Sequence, residues 1–481
     1  LLQSKIIKDP LYGFVEFSGH KEIGLKALLD SSYLQRLRRV HQLGFSDFVF
    51  PSATHSRFSH SIGVYHIAKR MLSLVEPDKV KGDWTKEGQA CLAAALLHDV
   101  GHGMFSHAFE KAMTLFFDRN PELEKTKQKL KQAVNHEEVS KNIINSEEIS
   151  EILFKSSGND SGFVKKVTDF IAKKDESCIY TSIVSSQLDA DRLDYAKRDP
   201  YFAGLSFGGV DLDWIIRNFN VEKNKESRFF CMNSKAYVSL EQFTVNLFQL
   251  YPTIYLHKKT RGMEYLFSVL MSKVMELIYQ GSAEKCGISK KHPLVKFFDN
   301  PENLKIGSQL DDALFWGSLH SFADSDERDI SRIARAMLRR KIPPHIDVWK
   351  MTENIASADQ RFEKLTANQR TSAVNAICKN VCEDIKKDKD VWQDSFYYDT
   401  YDRPIYKPKM IMGGHPQQIN VKNGGNILDI AQVSPLVASA ATFNIHRIYY
   451  DEQLSDISRI EKKISDDIRR STNLIEEYVN I

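Results

Sequence analysis

Four short stretches concentrate the side chains that could do chemistry: HSRFSH at 55–60, HDVGHGMFSH at 98–107, HEE at 136–138 and DADRLDYAKRD at 189–199. Imidazole nitrogens and carboxylate oxygens at such density suit a divalent cation, whether Mg, Mn, Fe or Zn. A lone histidine on an apolar helix face is ordinarily a satisfied core residue. The vicinal pair His98-Asp99 argues otherwise, because it ends the apolar run CLAAALLHD and carries a carboxylate towards a core, which is costly unless the charge is paired or metal-bound. His102 and His107 follow close behind and add titratable groups around that charge. The expected ligand set is His60, His98, Asp99 and Asp191. His60 would open one helix, His98 and Asp99 would close a second where Gly101 and Gly103 break it, and Asp191 would sit on a third. Helices packed as a bundle can bring such ligands to one interior pocket across long sequence distances.

The elements that must hold these groups are read from periodicity. Short β-like pieces (KII, FVEF) flank a Pro-Leu-Tyr-Gly turn, and from Ile23 the pattern becomes helical. Leu34, Leu37, Val40 and Leu43 recur at three-residue steps between arginines, predicting a buried face opposite a basic one. Amphipathic segments run through His60–Leu74, Lys86–His98, Phe105–Phe117 and Leu240–Ile278, with polar surface excursions at 118–132 and 155–162. The texture changes after about residue 280. Shorter periodic runs alternate with turn formers, the stretch 402–430 reads as short strands with Gly-Gly turns, and the last thirty or so residues return to a charged helix. The expected fold is mainly α: a helical core with a few short strands over 1–280, and a C-terminal α+β accessory region over 281–481 serving oligomerisation or regulation.

Bulk properties narrow the function classes. The 481 residues, 42% hydrophobic and 27% charged, have a globular composition. With 66 basic and 63 acidic residues the net charge is +3, so no global field marks a nucleic-acid or membrane binder. Six scattered cysteines do not make a disulfide framework, and Cys378 and Cys382, four apart, read as ordinary helix residues. The apolar run Cys91–Leu97 is far short of the ~20 residues a bilayer span needs, and the opening LLQSKIIKDP has neither a signal-type apolar stretch nor an initiator Met. A cytoplasmic protein is the expectation.

The spacing H…HD…D, with RFSH before the first ligand, HDVGHGMFSH in the middle and DADRLDY at the end, resembles the HD-domain phosphohydrolases. Within them it looks closest to the deoxynucleoside-triphosphate (dNTP) triphosphohydrolases, including the animal enzyme that joins a SAM domain to an HD domain. The likeness runs from about Asp9 to Arg261, and the SAM domain has no counterpart. The resemblance implies that His60, His98, Asp99 and Asp191 hold a catalytic metal that activates water at a phosphorus centre. It makes His107, oriented by Glu110, the acid that protonates the leaving 5′ oxygen, with His136 beside them and His102 and His136 lining a phosphate channel. Arg57, Arg192 and Tyr195 match positions that hold phosphate or sugar, although the family commonly has Lys where Arg192 stands. Gln42 and Asp199 match groups that meet the sugar 3′-hydroxyl, and Tyr255 matches a tyrosine that packs on the deoxyribose and crowds out a 2′-hydroxyl.

In DSSYLQRLRRVHQLG, Asp30, Gln35 and Arg38 coincide with residues that read an activating guanine nucleotide at a subunit interface in the animal enzyme. Such a resemblance implies a homo-oligomer, dimer or tetramer. Asp30 would serve equally as a helix N-cap and Arg38 as part of a solvated face. The likeness is lost over Glu222–Lys235, and Tyr251 replaces a family histidine near the active site. Two other readings stay open: an HD phosphodiesterase or nuclease acting on cyclic or oligomeric nucleotides, and a nucleotide sensor without turnover. The near-neutral charge and the absence of a basic, aromatic-rich tract weigh against a polymer substrate.

Overall fold

Hydrophobic periodicity becomes helix over most of the chain in the computed structural model. It describes residues 4–479 apart from 80–81, 207–208, 388–395, 405, 410, 440–442, 452 and 454–456, so parts of the expected strand region and of the charged C-terminal stretch lie outside the described residues. The strands are β1 (Lys5–Asp9), β2 (Gly13–Phe17), β3 (Phe219–Lys223), β4 (Arg228–Met232), β5 (His345–Asp347), β6 (Phe396–Arg403), β7 (Asn420–Asn423), β8 (Asn426–Asp429) and β9 (Phe443–Tyr450). They form a β1-β2 hairpin, a β3-β4-β7-β8 sheet and a β5-β9-β6 sheet. In the β7-β8 hairpin, Gly424 and Gly425 take φ of 55° and 91°, the left-handed pair that a tight hairpin turn demands.

The site helices begin where the sequence supplies caps. Ser56 caps Arg57–Val75 by accepting from Ser59 N, Thr85 caps Lys86–Leu97 through Gly88 N, Asn135 caps His136–Ile144 through Glu138 N, and Asp189 caps Ala190–Ala203 through Arg192 N. Every residue from Gly88 to Leu97 is buried, so Lys86–Leu97 is the central helix of the core. Two glycines allow close approach. A Cβ on Gly63 would overlap the Asp194 carboxylate and the Arg198 guanidinium, and one on Gly101 would overlap the His136 carbonyl and Ser140.

Three apolar cores result. The first gathers Val15 to Ile254 together with Tyr406, Ile419, Val421 and Ile430. The second joins the Met104–Leu130 stretch to Met263–Met337. The third unites Ile346–Ile385 with Ile448–Ile475, and Cys378 and Cys382 are buried in this region as helix residues of Ala367–Lys387. The second core crosses residue 280, and β4 pairs in parallel with β7 at Met232↔Val421, so the chain on the two sides of that point is interleaved.

Several local expectations are corrected. Leu34, Leu37, Val40 and Leu43 are buried, but the segment is a short helix, Ser32–Arg36, followed by a 3-10 turn, Leu37–Arg39, to which the three-residue step belongs. Its basic face is incomplete because Arg36 is buried. Ser31, not Asp30, caps that helix, and Asp30 ends the preceding one. The polar stretch 118–132 is largely a helix, Glu124–Val134. Leu240–Ile278 is two helices, Tyr237–Leu250 and Lys258–Tyr279, separated by a π turn over Tyr251–Tyr255 that contains Pro252. The Phe105–Phe117 segment becomes helical only at His107, because Phe105 and Ser106 take φ of 46° and 52°.

Candidate metal centre and cleft

His60 lies in the first turn of Arg57–Val75 and is fully buried. Its Nδ1 meets Asp194 Oδ2 at 2.7 Å, which turns Nε2 inward. There Nε2 lies 3.0 Å from Asp191 Oδ1, 3.2 Å from His98 Nε2 and 3.8 Å from Asp99 Oδ2. His98 is anchored the same way, its Nδ1 on the Ala95 carbonyl at 2.9 Å. Its Nε2 stands 3.5 Å from Asp99 Oδ1 and 3.7 Å from Asp191 Oδ1. The four residues expected from sequence are therefore together. Two imidazoles with their donor protons committed outward present opposed lone pairs, which repel unless a cation lies between them. Donor atoms about 3 Å apart are spaced as ligands of one ion at roughly 2.1 Å. Electrostatics agree: burial pushes the His60 imidazole down, but hydrogen bonds and charge from Asp191 and Asp194 outweigh it and raise it to about 10. The pocket demands positive charge, and this donor set fits a divalent ion.

Asp194 is the residue that sequence reasoning passed over. Fully buried, it accepts from Arg198 Nε at 2.8 Å, from Arg198 Nη2 at 3.0 Å and from the Tyr12 hydroxyl at 2.6 Å, while Arg198 Nη1 reaches Asp9 Oδ2 at 3.0 Å. The β1-β2 turn thereby ties down the helix that carries Asp191. Asp194 stands three residues after that ligand and four before Arg198, a helical spacing that was visible in DADRLDYAKRD.

Next to the ligands, Arg57 donates from Nη1 to Asp99 Oδ2 at 2.5 Å and from Nε to Ser106 Oγ at 2.9 Å. His102 Nε2 is 3.4 Å from Asp99 Oδ1, and its ring stacks on His136 with centroids 4.2 Å apart. Glu110 bridges two histidines, with Oε2 3.2 Å from His107 Nδ1 and Oε1 2.8 Å from His136 Nδ1. Burial raises the Glu110 carboxyl, and hydrogen bonds from His107 and His136 more than reverse this, holding it well below the ordinary carboxylate range. These three side chains could also hold a cation.

A cleft of about 890 Å3 opens beside them, lined by Gln42, Arg57, His107, Glu110, His136, Tyr195, Asp199 and Tyr255 among others. His102 and Arg192 do not line it; Arg192 Nε lies 3.8 Å from Asp189 Oδ2. Asp199 is buried, with Oδ1 2.9 Å from His55 Nε2 and Oδ2 accepting from the Tyr255 hydroxyl at 2.6 Å. The π turn positions Tyr255, whose ring meets Tyr195 edge-on at 6.3 Å. One wall was not foreseen: Tyr397, Tyr398, Thr400, Tyr401 and Asp402 of β6 face the cleft, and Tyr401 lies 5.5 Å from Tyr251. Asp30, Gln35 and Arg38 lie away from the cleft lining in a local surface cluster. Gln35 Nε2 donates to Leu29 O at 2.6 Å, Arg38 Nε donates to Gln35 Oε1 at 2.9 Å, and the Arg38 guanidinium covers the Phe58 ring at 3.8 Å.

Asp312 and Leu310 brace the positive-φ corner. Asp312 Oδ1 accepts from Phe105 N at 2.7 Å and Oδ2 from His41 N at 2.8 Å, and Met104 N donates to Leu310 O at 3.0 Å. Phe105, the first of the two positive-φ residues that aim His107, is thus held by a segment two hundred residues away in sequence.

Residues 57–196 match the HD domain family. The uncharacterised Bacillus subtilis protein YwfO is 31% identical over 351 residues, covering 72% of this chain and 73% of its own length. The chain belongs to the HD-domain family and is an HD-type phosphohydrolase by class. It is also similar to the deoxynucleoside triphosphate triphosphohydrolase SAMHD1 homolog of Dictyostelium discoideum, at 26% identity over 83% of this chain and 72% of that protein. Its fold matches that of a phosphohydrolase from Bacteroides thetaiotaomicron with a TM-score of 0.68 and 23% identity, covering 94% of this chain and 100% of the other. No helix among the described residues is long and apolar enough to cross a membrane.

Proposed function

We propose that the protein hydrolyses dNTPs to deoxynucleoside and inorganic triphosphate. The observation that carries this reading is the Arg57 bond to Asp99, which links the buried His60–His98–Asp99–Asp191 cluster to a cleft whose walls offer cations, an acid pair and paired tyrosines. His60, His98, Asp99 and Asp191 would hold the metal, which when bound supplies Lewis-acid polarisation and a nucleophilic water near neutral pH. Arg57 and His102 stand beside Asp99 to receive phosphate oxygens, a guanidinium being suited to such contacts. Glu110 fixes His107 through Nδ1, so that the opposite ring nitrogen can deliver a proton to the departing 5′ oxygen. His136 shares the same carboxylate and neighbours the phosphate path. Arg192 reaches its phosphate role only by turning from Asp189.

Gln42 and Asp199 meet the sugar 3′-hydroxyl in this reading, with Asp199 oriented by His55 and by Tyr255. Tyr255, with the Tyr195 ring edge-on to it, walls the ribose side and disfavours a 2′-hydroxyl, and Tyr195 holds phosphate or sugar. Residues 281–481 act as an accessory region that completes the cleft through β6 and serves oligomerisation or regulation. Asp30, Gln35 and Arg38 would take a guanine nucleotide effector in a homo-oligomer, and the protein would work in the cytoplasm. The test is incubation of pure protein with each dNTP and Mg or Mn, with and without GTP, followed by separation of products. Deoxynucleoside and triphosphate are expected. Products confined to dNMP or dNDP contradict the reaction proposed.

A further inference from the structure

A second cavity, of about 460 Å3, lies against the loop that follows His98-Asp99 and shares no lining residue with the cleft. Gly101 and Gly103 form part of its wall, and so does Arg36. Arg36 is 3% exposed. Its Nη2 donates to the Val100 carbonyl at 2.6 Å, whereas Nε and Nη1 are buried and meet no acceptor among the described residues. The nearby carboxylates are committed elsewhere. Asp311, which supports the Arg36 charge, accepts from Arg39 at 2.5 Å, and Glu302 on the cavity wall holds Lys129 at 3.3 Å. Burial lowers the guanidinium to about 10, which leaves it charged at neutral pH.

A buried guanidinium with two nitrogens lacking acceptors is unfavourable, and proteins ordinarily pair such groups. Here Arg36 forms part of the wall of a cavity. Its wall adds the side-chain amide of Asn142 and that of Asn145, which donates one of its two protons to Lys141 O at 2.7 Å, as donors to an oxyanion, and the apolar faces of Phe109, Val139 and Phe297, which can cover an organic substituent. We propose that this cavity is a binding site for a phosphate group, free or carried on a small organic monoester, with Arg36 as its counter-charge. A phosphate there offers acceptors to the amides and, after a shift of the Arg36 side chain, to its two unpartnered nitrogens, which are closed to solvent as they stand. Because Arg36 also holds Val100, the residue next to Asp99, an occupied site would brace the loop that carries a metal ligand.

Thermal unfolding tests this at matched ionic strength in chloride, in inorganic phosphate and in glycerol 1-phosphate. The wild type is compared with Ala133→Trp, which fills the cavity from the Glu124–Val134 helix, and with Arg36→Met. Phosphate bound in the cleft raises Tm in all three proteins alike. The proposal predicts an additional gain of several degrees in the wild type that Ala133→Trp lacks. A larger response to the ester identifies the carried form, and a larger response to inorganic phosphate identifies the free ion. Arg36→Met, if it folds, should lose the same gain. Equal gains in wild type and Ala133→Trp, or no gain with either probe, would overturn it.

Discussion

Replacing Asp194 by asparagine keeps the shape of a buried side chain while removing its charge and half of its acceptor capacity. The native carboxylate takes bonds from Arg198 at 2.8 and 3.0 Å, from Tyr12 at 2.6 Å and from His60 at 2.7 Å. Hydrogen bonds to charged groups contribute about 1.5–3 kcal/mol each. Arg198 retains Asp9, so losing two of the four bonds and leaving part of the guanidinium charge uncompensated should cost about 3–5 kcal/mol. The amide would also turn its donor towards His60 Nδ1 or Arg198, freeing the imidazole to rotate, and metal affinity should fall by roughly 10–100-fold. Burial raises the Asp194 carboxyl, but Arg198 and His60 hold it below the ordinary range. Its stabilising contribution is therefore present above the unfolded pKa of about 4 and lost as pH falls further. The deficit of the variant should accordingly shrink on the acid side. Calorimetric melts across pH, with competition against a chelator for the metal, measure both effects. A variant with unchanged Tm and metal affinity within twofold of wild type would refute the view that Asp194 orients His60.

His107→Ala should leave metal content intact and lower kcat by about 10²–10⁴, read by metal analysis beside turnover; loss of the metal would contradict the division of roles. Gly63→Ala drives a methyl into Asp194 and Arg198 and should destabilise by about 1–3 kcal/mol in denaturant melts, with weaker metal binding; wild-type behaviour would mean the two helices can part. Burial raises Asp312 to about 7 despite hydrogen bonds from His41 and Phe105, so the native state keeps that proton longer than the unfolded chain. Its contribution is full below about pH 4 and is lost as pH rises through about 7. Asp312→Asn should therefore gain relative to wild type over that interval, and a constant Tm difference would argue against the shift.

Much of the site was legible because its signals are local. His98 and Asp99 sit where Gly101 marks a helix stop, and in the folded chain Gly101 is a close contact while Ser56 and Asp189 cap the helices that carry His60 and Asp191. The π turn that presents Tyr255 was hidden by the smooth periodicity of Leu240–Ile278, although Pro252 stood in plain view. Arg36 interrupts the basic face that the periodicity predicts, because a helical wheel cannot see the Val100 carbonyl that its guanidinium meets. The β6 wall of the cleft and the Asp312 brace on Phe105 are long-range events, and nothing in the residues around positions 312 or 398 specifies which distant loop they meet.

The central claim is that one ion joins side chains from three separate helical segments. Anomalous diffraction from crystals of metal-saturated protein, recorded at the edge of the bound metal, tests it most directly. The account predicts a peak bonded at about 2.0–2.3 Å to His60 Nε2, His98 Nε2, Asp99 and Asp191. A peak confined to His107, Glu110 and His136, or none in a saturated crystal, would contradict it.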